Sequence, residues 1–158
     1  MTRTGIGYDS HRLVSGRPLM LGGVHIPFEL GLQGHSDADA VSHALTDALL
    51  GAAAAGDIGR LFPDTDPQWK NADSLKLLAL ACAAVRERGF APQQADITII
   101  AERPKLGMYF PAMAAALSGA SGIPIDAIGL KAKTNEGMGW IGRGEGIAVI
   151  AVATIGAS

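Results

Sequence analysis

The longest apolar run of the chain, GIAVIAVATI at residues 146–155, constrains the fold more than any other segment. It contains no charged side chain, which is typical of a strand buried on both of its faces. A chain of 158 residues fits a single domain, residues 1–158, with a core of its own. If helices cover one face of the sheet, its second face needs another cover, and oligomerisation supplies one.

The order of the remaining patterns predicts an α+β fold. Strand patterns cover residues 3–9, 95–102, 127–136 and 146–155, and a hairpin covers residues 19–28 with Gly22 and Gly23 at its turn. Helical patterns cover residues 36–55, 72–89 and 109–122. We expect a mixed four-stranded sheet with helices on one face, plus a small β-hairpin, with the other sheet face packed in an oligomer.

The helix boundaries carry recognisable signals. Ser36 can cap the first helix, with Asp39 three residues later as a variant of the capping box. Asp73 is the expected cap of the second helix, and Gly89 its stop.

Composition excludes several classes of protein. The formal net charge of −2 gives no electrostatic basis for binding nucleic acid or an anionic membrane surface. No apolar run is long enough to span a membrane, and the N-terminal residues lack a signal-peptide core. The one cysteine, Cys82, lies in an alanine-rich helical run and is expected in the core. These features favour a cytoplasmic protein.

A candidate metal site begins in the segment GIGYDSH at residues 5–11. Side chains two positions apart in a strand share a face, so Asp9 and His11 point the same way. Gly5 and Gly7 are expected to leave that face open. A carboxylate and an imidazole supply two ligands of a catalytic zinc site. An Asp-x-His pair is also common without any metal, so a purely structural role stays open.

His43 is the best candidate for the third ligand among the remaining histidines, because it lies in the middle of a predicted helix. Asp39 and Asp47 lie four residues to either side of it on the same helix face. Asp47 is expected to accept the free ring N–H of His43 and fix its tautomer. Two histidines and one carboxylate leave Zn²⁺ an open position suited to a phosphate oxygen. His25, in the hairpin, is expected to be structural.

Several other segments carry side chains suited to phosphate chemistry. His35 and Ser36 precede the helix that carries His43, where unpaired N–H groups favour an anion, although Ser36 alone could simply be a cap. The acidic loop at 57–66 could bind sugar hydroxyls or be a solvated loop. Glu136 could hold Mg²⁺ beside phosphate groups or be an ordinary strand-end charge. Arg143 and Glu145 are expected to form an ion pair, within the chain or between subunits.

Seven segments resemble, in order and over nearly the whole chain, the 2-C-methyl-D-erythritol 2,4-cyclodiphosphate synthase family. They are GIGYDSHRL, LGGVHIP, GHSDADAVSHALTDALLGAAAAGDIGRLFPDTDP, ADSLKLL, DITIIAERPKL, KAKTNEGMGW and GRGEGIAV. The third segment, residues 34–67, is the most specific. The resemblance implies a lyase of isoprene biosynthesis by the non-mevalonate pathway, and a homotrimer with active sites between neighbouring subunits. It implies no nucleic-acid or membrane partner.

The resemblance also implies roles for individual residues. Zinc ligands fall on Asp9, His11 and His43, a magnesium or manganese ligand falls on Glu136, and transition-state contacts fall on His35 and Thr134. Substrate contacts fall on Asp9, Ser10, His11, His35, Ser36, Asp57, Ile58, Gly59, Phe62, Pro63, Asp64, Thr65, Asp66, Ala101, Glu102, Arg103, Pro104, Lys105, Leu106, Gly107, Lys133, Thr134, Asn135, Glu136, Trp140 and Arg143. The chain departs from the usual family pattern at Tyr8, Lys133, Asn135 and Trp140.

The implied reaction converts 4-diphosphocytidyl-2-C-methyl-D-erythritol 2-phosphate to the 2,4-cyclodiphosphate and CMP. Two other functions remain open for the same residues. One is a metal-dependent phosphohydrolase that activates water with the same three ligands. The other is a non-catalytic trimeric binding module.

Overall fold

A computed structural model describes residues 1–158 as one five-stranded sheet, a two-stranded hairpin and five helices. The strands are β1 (Thr2–Val14), β2 (Leu19–Leu21), β3 (Val24–Ile26), β4 (Gly31–Leu32), β5 (Phe90–Ile100), β6 (Ile128–Lys133) and β7 (Gly146–Ala157). The helices are α1 (Ala40–Ala52), α2 (Ile58–Leu61), α3 (Ser74–Glu87), α4 (Phe110–Ser121) and α5 (Gly139–Gly142). Three short 3₁₀ turns cover residues 67–69, 107–109 and 125–127.

The main sheet is mixed, in the order β4-β1-β7-β5-β6. The apolar strand β7 lies at its centre, antiparallel to both β1 and β5, while β5 and β6 run parallel. The α+β class, the mixed sheet and the hairpin are confirmed. The expected count of four strands is wrong by one, because residues 31–32 pair with residues 13–14 as a fifth strand. Two residues are too few to show a strand period in the sequence.

Helix α1 lies against β1 at very short range. A Cβ atom placed on Gly5 would come within 2.0 Å of the Ala48 carbonyl oxygen, and one on Gly7 within 1.9 Å of the Ala44 carbonyl oxygen. The expectation that these glycines leave the strand face open is therefore wrong. The backbone of α1 fills the space instead, and this close approach brings His43 to the end of β1.

Of the two predicted helix caps, the one for α1 is wrong and the one for α3 is confirmed. Asp39, not Ser36, is the N-cap of α1, and its carboxylate accepts the backbone N–H of Ser42. The same buried carboxylate also accepts the N–H groups of Gly22 and Gly23 in the hairpin turn. Asp73 caps α3 as predicted by accepting the N–H of Leu75.

One face of the sheet is covered by helices and the other is open in the single chain. Cys82 of α3 is fully buried in the core, as expected, and burial raises the pKa of its thiol to about 11. On the opposite face Ile6 is 70% exposed and Tyr8 56% exposed. Ile150 of β7 lies beside Tyr8 and is also exposed, so β7 is buried on both faces only if something covers it. None of the helices combines the length and the apolar composition that a membrane-spanning segment requires.

Candidate metal centre and phosphate pocket

Three side chains from β1 and α1 meet at one point. The Asp9 Oδ2 atom lies 2.8 Å from His11 Nε2 and 3.0 Å from His43 Nδ1. The two ring nitrogens are 3.4 Å apart. The predicted convergence of these residues, which are 34 positions apart at most, is confirmed.

This donor set fits a zinc ion. Tetrahedral zinc with bonds of about 2.0–2.1 Å has ligand atoms roughly 3.3 Å apart, close to the spacing of these three atoms. Two imidazoles and one carboxylate are ligands of catalytic zinc sites, which keep one coordination position free. The geometry therefore supports a metal centre at Asp9, His11 and His43.

The outer nitrogen of His43 is held by two serines. His43 Nε2 lies 2.8 Å from Ser74 Oγ and 3.1 Å from Ser36 Oγ. The prediction that Asp47 takes this position is wrong, because the Asp47 carboxylate accepts the backbone N–H of Ile58 instead. Helical side chains lean toward the N-terminus of the helix, so His43 meets partners on that side and not the residue one turn later.

The electrostatics of the triad favour an ionised Asp9. Burial opposes its ionisation, but hydrogen bonds from His11 and His43 outweigh burial and lower the pKa of Asp9. Burial likewise disfavours the charged form of His11, but its bond to Asp9 raises the pKa of His11 above the usual value. In the metal-free protein the two groups thus stabilise each other as an ion pair.

These opposite shifts predict a stability optimum for the metal-free protein in mildly acidic solution. The lowered pKa of Asp9 stabilises the fold above about pH 4, and that contribution is lost as the pH falls through the folded-state value. The raised pKa of His11 stabilises the fold below about pH 6.5, and that contribution is lost as the pH rises through the folded-state value. Urea unfolding of chelator-treated protein at pH 5.5 and pH 8 should show the higher midpoint at pH 5.5.

The matched control is Asp9→Ala, in which this difference between the two pH values should shrink. An equal difference in the variant would contradict the assignment of the pH dependence to the pair.

A cavity of about 460 Å³ opens beside the triad. Its lining includes the metal-site histidines His11 and His43 and, besides His11, seven residues predicted to contact substrate: His35, Ser36, Ile58, Gly59, Phe62, Pro63 and Asp64. Among buried side-chain polar atoms, only His35 Nε2 has no hydrogen-bond partner. A buried imidazole nitrogen without a partner is rare in folded proteins, so His35 is a polar group that the single chain leaves unsatisfied.

Sequence reasoning missed three lining residues, Gly34, Trp69 and Leu77. The Trp69 ring packs edge-on against the Phe62 ring with centroids 5.0 Å apart, which closes one wall of the cavity. An aromatic residue in the otherwise polar loop was the only sequence signal for this wall.

Within the loop at 57–66, three predicted contact residues do not line the cavity: Asp57, Thr65 and Asp66. Asp57 is the N-cap of α2 and accepts the N–H of Arg60. Asp66 caps the 3₁₀ turn at 67–69 and accepts the N–H of Gln68.

A second group of predicted contact residues lies where β5 and β6 end. The Glu102 carboxylate accepts the backbone N–H groups of Asn135 and Gly137, so it ties residues 101–107 to residues 133–137. The backbone N–H of Ala101 also donates to the carbonyl of Lys133. Exposed Glu136 has a positive φ of 55°.

The two groups lie at the same end of the sheet but are separated across it. Asp9 pairs with Val149, Val149 with Ile99, and Ile99 with Ala132. Three strand spacings of about 4.8 Å place the β6 end roughly 14 Å from Asp9. Within one chain, the second group is therefore not part of the cavity beside the triad.

The last predicted contacts lie near a separate, smaller hollow of about 210 Å³. Ser10 and Trp140 line it together with His11, Arg12 and Glu145. Arg143 pairs with Glu145 within the chain, as an ion pair of adjacent surface groups.

Comparisons with known proteins agree on one group of enzymes. The sequence profile of the YgbB family matches residues 2–156. A protein of Symbiobacterium thermophilum named 2-C-methyl-D-erythritol 2,4-cyclodiphosphate synthase is 56% identical over 151 residues, which are 96% of this chain and 96% of that relative.

Solved structures give the same result for the fold. A synthase of the same name, solved in its CDP-bound form, is 45% identical with a TM-score of 0.89, and the match covers 98% of this chain and 100% of the other. The bifunctional IspDF of Campylobacter jejuni is 44% identical with a TM-score of 0.96. That match covers 100% of this chain but only 43% of IspDF, which is a longer protein.

Proposed function

The chain belongs to the YgbB family, and from this premise we propose that it is a 2-C-methyl-D-erythritol 2,4-cyclodiphosphate synthase. It is an enzyme of isoprenoid precursor synthesis that acts as a lyase, releasing CMP from 4-diphosphocytidyl-2-C-methyl-D-erythritol 2-phosphate. The observation that carries the proposal is the Asp9–His11–His43 triad at the wall of a cavity lined by His35 and Ser36, two of the predicted phosphate contacts. We expect a cytoplasmic location.

The reaction needs no nucleophilic side chain. An oxygen of the 2-phosphate attacks the β-phosphorus of the diphosphate, the bond from that phosphorus to the bridging oxygen breaks, and CMP leaves with that oxygen. The attacking phosphate is already an anion at neutral pH. The obstacle is the approach of about four negative charges, and bound divalent cations supply the positive charge that offsets it.

The residues around the cavity bind and orient the substrate. Asp9, His11 and His43 would hold Zn²⁺ at the wall that the phosphates face. His35 and Ser36, which line the cavity, are the residues proposed to contact a phosphate group. Phe62 and Trp69 form an apolar wall suited to the methylerythritol carbons. Holding the carbon skeleton of the substrate in a bent conformation against this wall would keep its two phosphate groups in line for the reaction.

Glu136 is the proposed ligand of a second cation, Mg²⁺ or Mn²⁺. Its exposed carboxylate lies beside Thr134 and Lys133, the residues proposed to contact the diphosphate, and Mg²⁺ in proteins commonly combines a carboxylate with phosphate oxygens. We expect Glu136→Ala to lower kcat by at least about tenfold, because the leaving group loses its charge partner. A steady-state titration with Mg²⁺ should show partial recovery at high concentration.

Glu87→Ala, which removes an exposed carboxylate at the end of α3, is the control for that experiment. If Glu136→Ala shows the same Mg²⁺ dependence as the control, Glu136 is not a ligand of the second cation.

A homotrimer with sites between neighbouring subunits is part of the proposal. Two observations support it: the apolar open face of the sheet around Ile6, Tyr8 and Ile150, and the roughly 14 Å that separates the two groups of contact residues within one chain. In such an assembly the β5–β6 end of one subunit would complete the cavity of its neighbour. Lys133 would then add positive charge beside the diphosphate.

Ile6→Asp tests the assembly. A carboxylate on the open face would lose its hydration in a subunit contact, so the variant should sediment as a smaller species with at least about tenfold lower activity. Leu80→Asp, at an exposed apolar position on α3, should keep the wild-type sedimentation coefficient and activity. Equal sedimentation of all three proteins would contradict a role of the open face in assembly.

The decisive experiment for the reaction is ³¹P NMR of the purified protein with the diphosphocytidyl substrate and Mg²⁺. A cyclic diphosphate and CMP are expected. In ¹⁸O-labelled water cyclisation places no label in either product, whereas a phosphohydrolase would place label in one. If no CMP forms, the chain is a binding module and not this enzyme.

A further inference from the structure

The outer nitrogen of the His43 ring begins a series of hydrogen bonds, through Ser74 to Asp37, that no proposed substrate contact accounts for. Ser74, the first residue of α3, is fully buried and places its Oγ atom 2.8 Å from His43 Nε2. The same hydroxyl donates to Asp37 Oδ1, and the Ser74 backbone N–H donates to Asp37 Oδ2 over 3.1 Å. Both carboxylate oxygens of Asp37 therefore accept hydrogen bonds from Ser74.

The direction of these hydrogen bonds is fixed by chemistry. An ionised carboxylate can only accept, so the single hydroxyl proton of Ser74 is directed to Asp37. The lone pairs of Ser74 Oγ are then left for His43 Nε2, which must carry a proton and donate. His43 Nδ1 consequently faces Asp9 and His11 as an unprotonated nitrogen whenever a metal ion is bound there.

The second serine near this nitrogen has a different position. Ser36 Oγ is 3.1 Å from His43 Nε2, and it also accepts the backbone N–H of Ala38. Ser36 lines the cavity, where a phosphate can compete for its hydroxyl, whereas Ser74 is not part of the cavity lining. Ser74 is thus the partner that can stay on His43 throughout a reaction.

We propose that Asp37 and Ser74 are positioning residues of the metal centre: the series of hydrogen bonds from half-buried Asp37 through buried Ser74 to His43 orients the His43 ring and directs its Nδ1 atom at the ion. The inference rests on the proposed function in taking His43 as a zinc ligand. These hydrogen bonds also link the metal centre to the segment predicted to contact phosphate, because Asp37 directly follows His35 and Ser36 in the sequence.

Zinc affinity of the metal-free protein, measured by competition with a chromogenic chelator, tests the proposal without reference to activity. Ser74→Ala should weaken Zn²⁺ binding by roughly 10- to 100-fold, as losses of outer hydrogen-bond partners of metal ligands do. Asp37→Asn keeps the Ser74 hydroxyl but removes its charged acceptor, so a smaller loss in the same direction is expected.

The matched control is Asp73→Ala, which removes the cap of α3 one residue away but no contact of His43. It should lower the urea concentration at the midpoint of unfolding, because α3 loses its cap, and leave Zn²⁺ affinity unchanged. Unaltered affinity in Ser74→Ala, or an equal loss in Asp73→Ala, would overturn the proposal and leave only a general effect of α3 stability.

A second measurement needs no variant. In the zinc-loaded wild-type protein, the His43 Nε2 proton should give a protected NMR signal with a nuclear Overhauser contact to the Ser74 β protons. A His43 proton on Nδ1, or a solvent-exchanging Nε2 proton, would overturn the proposal. If the wild-type protein binds no Zn²⁺ at all, the proposed function fails instead, so the two failures are distinguishable.

Discussion

Asp9→Ala is expected to reduce turnover to less than about one-thousandth of the wild-type rate. Asp9 is the only carboxylate of the triad, and its Oδ2 atom contacts both ring nitrogens, so its removal leaves two imidazoles and no charge to offset the cation. Metal ions at phosphoryl-transfer sites contribute several kcal/mol of transition-state stabilisation, which corresponds to a loss of this size. His43→Ala should have the same effect, because it removes the one ligand that α1 supplies.

The stabilisation of the protein by zinc shows whether Asp9→Ala loses activity because it no longer binds the metal or because it is unfolded. At 100 times its dissociation constant, zinc should stabilise the wild-type protein by about 2.7 kcal/mol and should leave Asp9→Ala unchanged. Asp126→Ala, an exposed aspartate on a 3₁₀ turn, should behave as wild type in both assays. Full activity of metal-depleted Asp9→Ala protein would refute the role of zinc.

Gly7→Ala is expected to cause the largest loss of stability among single methyl additions. The added Cβ would lie 1.9 Å from the Ala44 carbonyl oxygen and 2.8 Å from the Ala48 nitrogen, both backbone atoms that cannot rotate away. Helix α1 must therefore move off the sheet. We expect a loss of at least roughly 3 kcal/mol in the free energy of unfolding, measured by urea denaturation. Zinc affinity should fall as well, since His43 moves with the helix.

Gly51→Ala is the control from the same helix–strand contact. Its Cβ would meet only the Ile6 carbonyl oxygen, at 4.0 Å, which is ordinary contact. Replacing a helical glycine by alanine there should stabilise the protein by about 0.5–1 kcal/mol. If Gly7→Ala unfolds at the same urea concentration as Gly51→Ala, the close approach of α1 to β1 is not what Gly7 provides.

Local sequence patterns predict part of the candidate metal centre but not all of it. The shared face of Asp9 and His11 follows from the strand period alone, and the helical position of His43 follows from its flanking pattern. The hydrogen-bond partners of His43 Nε2, however, do not follow from any local pattern. Ser74 is 31 positions further along the chain, so only tertiary packing brings it there, and helical spacing pointed to Asp47 instead.

The class of the sheet and most of its strands could also be predicted from local sequence periodicity. Long strands such as β7 carry their own period, while β4 is two residues long and exists only because Leu32 and Gly31 meet the end of β1. The family resemblance predicted contact residues segment by segment, but it could not show that residues 101–107 and 133–136 lie across the sheet from the triad. That separation depends on strand order, which no single segment encodes.

The Asp39 carboxylate has a consequence for the motions of the molecule. It is fully buried and accepts hydrogen bonds from both hairpin-turn glycines and from Ser42 in the first turn of α1. If the hairpin lifted away alone, this anion would lose two of its donors in an apolar interior, at a cost of several kcal/mol. The hairpin and the start of α1 should therefore open together, as one cooperative unit in native-state hydrogen exchange.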